Sequence, residues 1–194
     1  MSLTSDRFAK AITAFDAYHQ KDPNTEINNG QVFPKELLYA IRMTDRLARF
    51  APNADEFVKL STRCQHIGRW EIPREKYPMN KKGYLQWRTE EKMHHAKIAE
   101  GILSNCGYDR ETIERVKFLL LKKELYTNAG TKLLEDVVCL VFIEYYLEDF
   151  AAKHDDEKVV DILRKTVKKM TSEAIKEVGN LKLPDRIRPL IARI

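Results

Sequence analysis

The sequence predicts an all-α protein. We read it as a single globular multi-helix domain of seven or eight helices around a central apolar helix at about residues 132–153. Three observations predict this. Lys, Glu, Leu and Ala dominate over alternating runs of Val and Ile, a balance that favours helix. Apolar residues recur at helical spacing in one segment after another. Only seven Gly and seven Pro punctuate 194 residues, too few for long loops or low-complexity stretches. A hydrophobic fraction of 43% is enough to bury a real core, so residues 1–194 are expected to form one domain.

The elements follow in order. Residues 1–5 are expected to be a flexible start. Asp6 to Gln20 reads as the first helix, with Phe8, Ile12, Phe15 and His19 on one side. Lys21 to Gly30 reads as a polar loop. Pro34 suits a first helical position, with the helix running to Phe50. Asn53 is a candidate cap for a helix to about Ile67, and residues 68–81 form an expected functional loop. Lys82 to Asn105 is helical again, closed by Gly107. Asp109 caps a helix to about Lys122, and YTNAGT breaks the pattern. Lys132 to Lys153 is apolar almost all round and should be the buried central helix. Asp155 and Asp156 cap an amphipathic, Lys-rich helix from Glu157 to Val178, and a short last helix follows Pro184. No strand is expected.

The formal charge of +5 is mildly basic. It falls short of the dense stripe of a dedicated nucleic-acid binder and suits an anionic small molecule, or solubility alone. Cys64, Cys106 and Cys139 lack CxxC spacing and read as reduced core thiols, which fits a cytoplasmic protein. The most apolar run, Val137 to Ile143, is too short to cross a bilayer. Neither a signal peptide nor a membrane partner is expected. Nothing in the pattern sets an oligomeric state. The chain holds no GxGxxG, P-loop, GxSxG or HEXXH motif.

Polar residues on apolar faces mark candidate chemistry. At about 100° per residue, His95 shares the core-facing stripe of its helix with Ile98, Ala99 and Ile102, and Arg88 and Glu91 fall on the same stripe. In the central helix, Asp136 shares a face with Leu133, Leu140, Ile143 and Leu147. Two readings of Asp136 stay open: a buried salt bridge to Arg63 or Arg88, or a metal ligand or general base. His66 lies near a helix end just before Gly68, as a capping residue or a ligand. If His95 and Asp136 converge on it, two imidazoles and a carboxylate make a set for a divalent metal ion.

The segment CQHIGRWEIPREKYP and the helix after it add a second chemistry. Arg69, Arg74 and Arg88 surround Trp70, Tyr84 and Trp87. Guanidinium groups grip phosphate in pairs and aromatic rings stack on bases, so the combination suits a nucleotide or a short RNA strand. The alternative is a structured loop with Trp70 and Trp87 as core plugs.

The segments PKELLYAIRMT, RCQHIGRWEIPREKYP, GYLQWR, HHAKIAEGIL followed by CGY, and LEDVVCLVFIEYYLEDFAAKH resemble a domain-of-unknown-function family over most of the chain. Some members of that family carry a glutamyl-tRNA synthetase label. The chain itself has no HIGH-type or KMSKS-type signature. A weaker resemblance is to the HD-domain phosphohydrolases, all-α enzymes that bind metal through a His, a His-Asp doublet and a distant Asp. CQHIG resembles the end of their doublet helix, His95 a further His, and LEDVVCLV the helix of the last Asp, at Asp136. The doublet here reads His66-Ile67, and Glu36 is the nearest polar residue to the missing first His. That likeness implies an HD-like shell in which Glu36, His66, His95 and Asp136 hold the metal and His66, His95 and Asp136 are catalytic. Arg63, Arg69, Trp70, Arg74, Tyr84, Trp87 and Arg88 would then bind substrate.

Two functions are therefore expected. One is a metal-dependent hydrolase of a phosphorylated or nucleotide substrate, in which the metal lowers the pKa of an attacking water. The other is a non-catalytic helical module that binds a nucleotide, an RNA or a protein.

Overall fold

A computed structural model describes residues 3–194, with side chains from Asp6 onward. Helix α1 (Leu3–His19) already begins inside the stretch expected to be flexible, and residues 1–2 lie outside the described residues. Ala11 and Phe15 bury its inner face. The buried His19 ends it, with Nε2 lying 3.2 Å from the Arg63 carbonyl.

The expected loop after α1 contains a hairpin, which corrects the reading of no strand. Strands β1 (Thr25–Asn28) and β2 (Gln31–Pro34) pair antiparallel, with Ile27 opposite Val32. Asn29 and Gly30 turn the chain at φ 50° and 77°, the two positive values that a tight two-residue hairpin turn requires. Each strand is only four residues long, too short for its alternation to stand out from polar neighbours. Pro34 closes β2 and stands just before α2 (Lys35–Phe50), rather than opening the helix. Buried Asp22 does the capping from a distance: Oδ2 accepts the Glu36 N–H at 2.9 Å and Oδ1 accepts that of Asn24 at 2.9 Å.

Helix α3 (Glu56–Arg63) starts after Asp55 rather than Asn53, and its chain continues in turns to Gly68. Gly68 has φ 72°. A Cβ there would collide with Ile98 and come 3.1 Å from His94 Nε2, so only glycine meets both demands. Helix α4 (Lys81–Asn105) is capped by Asn80, whose side chain accepts the Gly83 N–H. Gly107 ends it at φ 81°. Asp109 caps α5 (Arg110–Leu120) as expected, through the Thr112 N–H.

The central helix opens earlier than expected, at Asn128, whose side chain caps α6 (Ala129–Val141). A wide π turn over Phe142–Tyr146 then leads into α7 (Leu147–Ala151). Leu134, Val137 and Val141 pack toward α2, while Leu140, Ile143 and Leu147 face the C-terminal helices. That double packing is why the segment is apolar almost all round.

The expected Glu157–Val178 helix is two helices, α8 (Asp156–Val167) and α9 (Ser172–Val178). Thr171 makes the break by capping α9 through the Ala174 N–H. Helix α10 (Arg188–Ile191) closes the chain, bringing the α-helices among the described residues to ten. The protein is a single all-helical domain with one small hairpin. No described helix is long and apolar enough to cross a membrane. The three cysteines are free, and burial pushes the thiol pKa values of Cys64 and Cys139 up, the latter to about 12.

Candidate functional site

Six parts of the fold meet around a cleft of about 780 Å³. Helix α2 contributes Lys35, Glu36 and Tyr39 from its first turns. The turn after α3 contributes His66 and Arg69, and α4 contributes Tyr84 and Arg88. The connection between α5 and α6 supplies Lys122 and Tyr126. Glu135, Val138, Cys139, Phe142 and Tyr146 come from α6 and the π turn, and Lys165, Lys168 and Lys169 from the end of α8 and just beyond. A second groove of about 710 Å³ lies elsewhere, walled by Phe57, Phe118, Leu119 and Leu133, and contains none of the expected site residues.

The floor of the cleft is a hydrogen-bonded chain. Arg69 Nη1 lies 3.0 Å from His66 Nε2, and His66 Nδ1 lies 3.2 Å from Glu36 Oε2. A guanidinium only donates, so Nε2 is the acceptor and the ring proton sits on Nδ1, donated to Glu36. The Tyr39 ring stacks on His66 with centroids 4.1 Å apart. Burial, then the charge of Arg69, holds the pKa of His66 well below the usual imidazole value. His95 stands behind it, ring centroids 5.9 Å apart, with Nδ1 donating to the Ile67 carbonyl at 2.6 Å. Burial lowers the pKa of His95 to about 3.

Arg69 also stands between two buried carboxyls. Its Nε is 3.8 Å from Glu36 Oε1 and 3.7 Å from Glu91 Oε1. Glu91 Oε1 is buried and accepts no hydrogen bond. One cation thus serves two acids in a poorly solvated place. Burial raises the pKa of both carboxyls, that of Glu36 to about 7, against the pull of Arg69.

The structure brings Glu36, His66 and His95 together and leaves Asp136 apart from them in role. Asp136 does not line the cleft. Its two oxygens accept the Thr171 N–H at 2.8 Å and the Thr171 hydroxyl at 2.7 Å, tying α6 to the start of α9. Neither salt bridge considered for it forms, because Arg63 is held by both oxygens of Asp16 at 2.7 Å and Arg88 lines the cleft. The set Glu36, His66, His95 and Asp136 does not fit a metal ion. Arg69 occupies the free lone pair of His66, and Asp136 is spent on Thr171. Among the described residues, no three His, Cys, Asp or Glu side chains are grouped to hold one.

The expected substrate residues divide in the same way. Arg69, Tyr84 and Arg88 line the cleft. Arg63 and Arg74 do not: Arg74 closes its own loop, donating to the carbonyls of Tyr77 at 3.0 Å and Pro78 at 2.9 Å. Trp87 is 8% exposed and donates its Nε1–H to the Ile72 carbonyl. The Trp70 ring packs 5.9 Å from that of Tyr18. Trp87 therefore serves as a plug, Trp70 is half-buried against Tyr18, neither lines the cleft, and the 68–81 loop braces α4 while delivering Arg69.

The expectation missed much of the cationic wall. Five lysines (Lys35, Lys122, Lys165, Lys168, Lys169) join Arg69 and Arg88 there, against Glu36 and Glu135. Several are neutralised in place. Lys122 pairs with Glu135, which Lys169 also approaches at 3.5 Å. Burial lowers the pKa of Lys122, against the pull of Glu135. Burial works to raise that of Glu135, but Lys122 and Lys169 overcome it and hold it low. Among the described residues, Lys35, Arg88 and Lys168 have no ion-pair partner, although all three line the cleft. The Lys-rich face of residues 157–178 was the available signal for Lys165, Lys168 and Lys169.

No curated protein and no solved structure matches the chain. A family match covers nearly all of it, including every cleft residue named above: residues 9–191 match the family described as Domain of unknown function (DUF4202), and the chain belongs to that family.

Proposed function

We propose that the protein binds a phosphorylated small molecule in the cleft between α2, α4, α6 and α8. One observation carries the reading. Arg88 is half-buried in the cleft wall with no carboxylate at ion-pair distance among the described residues, and the exposed Lys35 and Lys168 add unpaired positive charge to the same cleft. A partly desolvated cation without a partner is unfavourable, and an anion entering the cleft relieves it. The cleft volume of about 780 Å³ lies within the range of small-molecule sites. Of the two expected functions, this is the binding module.

The test is calorimetry with inorganic tripolyphosphate in the presence of a chelator. Saturable binding, weakened about tenfold or more by Arg88→Ala, supports the reading. No heat and no thermal stabilisation at millimolar ligand would sink it.

A specific observation favours a second reading, hydrolysis of the bound ligand. Glu36 lines the cleft with a carboxyl pKa of about 7, so near neutrality it can both give and take a proton. Phosphate release from a phosphoester panel that stops in Glu36→Gln while binding persists would establish turnover. A silent wild type leaves the binding module.

A further inference from the structure

The cleft carries two aromatic side chains that the rest of the fold does not use. Tyr84 is 47% exposed and Tyr126 is 69% exposed, yet both line the cleft beside its cations. The other rings that line the cleft pack within the fold: Tyr39 covers His66 and tilts against Tyr146, and Phe142 packs edge-on to Phe150.

Tyr84 is backed by Trp87, ring centroids 5.8 Å apart, which steadies its ring at the mouth. Tyr126 is placed by a strained connection. Lys122 and Glu124 take φ 53° and 51°, left-handed values that cost residues bearing a Cβ and persist where the surroundings impose them. The turn is held by the Thr127 and Asn128 N–H groups, both donating to the Glu124 carbonyl. The same bend points Lys122 at Glu135 and leaves Tyr126 on the rim.

We infer that Tyr84 and Tyr126 are specificity residues that stack on a planar ring carried by the phosphorylated ligand, so that the ligand class is a nucleotide. The inference rests on the cleft reading proposed above and adds the ring to it. Phosphate charge faces Arg88, Lys35 and Lys168, and the ring lies at the mouth, where Tyr126 and Tyr84 stand exposed. Exposed rings lining a cationic cleft gain contact area from a flat heterocycle without a hydrogen-bond code. The pair therefore grips bases with little discrimination among them.

The experiment compares inorganic tripolyphosphate with nucleoside triphosphates of all four bases by calorimetry. It uses wild type, Tyr84→Ala and Tyr126→Ala. Both side chains are exposed, so the folded state is kept, and unchanged thermal midpoints check it. Expected is a nucleotide affinity about tenfold or more above that of tripolyphosphate, reduced by each substitution, with tripolyphosphate affinity unchanged. If nucleotides bind no tighter than tripolyphosphate, or their advantage survives both substitutions, the inference is overturned while the phosphate cleft stands. If tripolyphosphate and nucleotides both fail to bind, the cleft reading falls and takes the inference with it.

Discussion

Arg69 Nη1 donates to His66 Nε2 across 3.0 Å, filling the imidazole lone pair that a metal ion would need. The contact also sets the tautomer, so that Nδ1–H faces Glu36. We expect chelator to leave the melting temperature of purified protein unchanged, and Arg69→Ala to raise the His66 pKa toward its ordinary value. NMR titration of the imidazole between pH 4 and 8 reads both states. An unshifted His66 in Arg69→Ala would break the assignment.

Glu36 makes stability depend on pH in a definite direction. Its folded pKa of about 7 lies above the ordinary carboxyl value of 4.5. Between those values the native state binds more protons than the unfolded chain, so this contribution is present below 4.5 and is lost as pH rises through 7. His19 and His95 act oppositely. Burial lowers them to about 4 and about 3, so their contribution is present above about 6.5 and is lost as pH falls. Relative to wild type, Glu36→Gln should therefore gain melting temperature on going from pH 5 to pH 8. A constant difference between the two proteins across that range would contradict the raised pKa.

Asp136 holds α9 in place. Replacing it with Ala removes two hydrogen bonds to a charged acceptor and should cost about 2–4 kcal/mol in chemical denaturation. Ligand affinity in the cleft should not change. A loss of bound metal or of affinity in a folded Asp136→Ala protein would return this residue to the site. Thr171→Val should reproduce part of the destabilisation.

The buried pair Lys122–Glu135 predicts an asymmetry. Lys122→Ala leaves a carboxylate without its closest partner in a mostly enclosed place, at a cost of about 3–5 kcal/mol. The double substitution Lys122→Met with Glu135→Leu should recover much of that loss, because no charge is then stranded. A double variant destabilised by the sum of the Lys122→Met and Glu135→Leu single variants would show that the pair is not coupled.

Gly68→Ala tests the turn that delivers Arg69. The left-handed φ and the contact with Ile98 should together cost about 1–3 kcal/mol. Phosphate affinity should fall as well, since Arg69 follows directly. A variant as stable as wild type would mean that the turn relaxes freely.

Much of the helical layout was legible because it is written in local terms. Asp109 and Asp155 cap the helices they were expected to cap, Gly107 ends α4, and the apolar stripes of α2 and α6 face the core. The hairpin and the Thr171 break were not legible, for related reasons. Two four-residue strands carry too few alternating positions to register, and Thr171 stops a helix because Asp136, 35 residues earlier in the chain, takes its donors.

The site divides along the same line. Taken alone, the sequence determined that this chain is an all-helical domain and that Glu91, His95 and Asp136 fall on core-facing stripes, because helical period and apolar spacing suffice for both. Only the tertiary structure decided what those groups do. It turned Asp136 to Thr171, Arg63 to Asp16 and Arg69 to His66, and it gathered Lys35, Arg88, Tyr126 and Lys168 from four separate segments around one cleft. Partner choice between distant polar groups depends on distance and desolvation, and neither is encoded in the spacing of residues along a single helix.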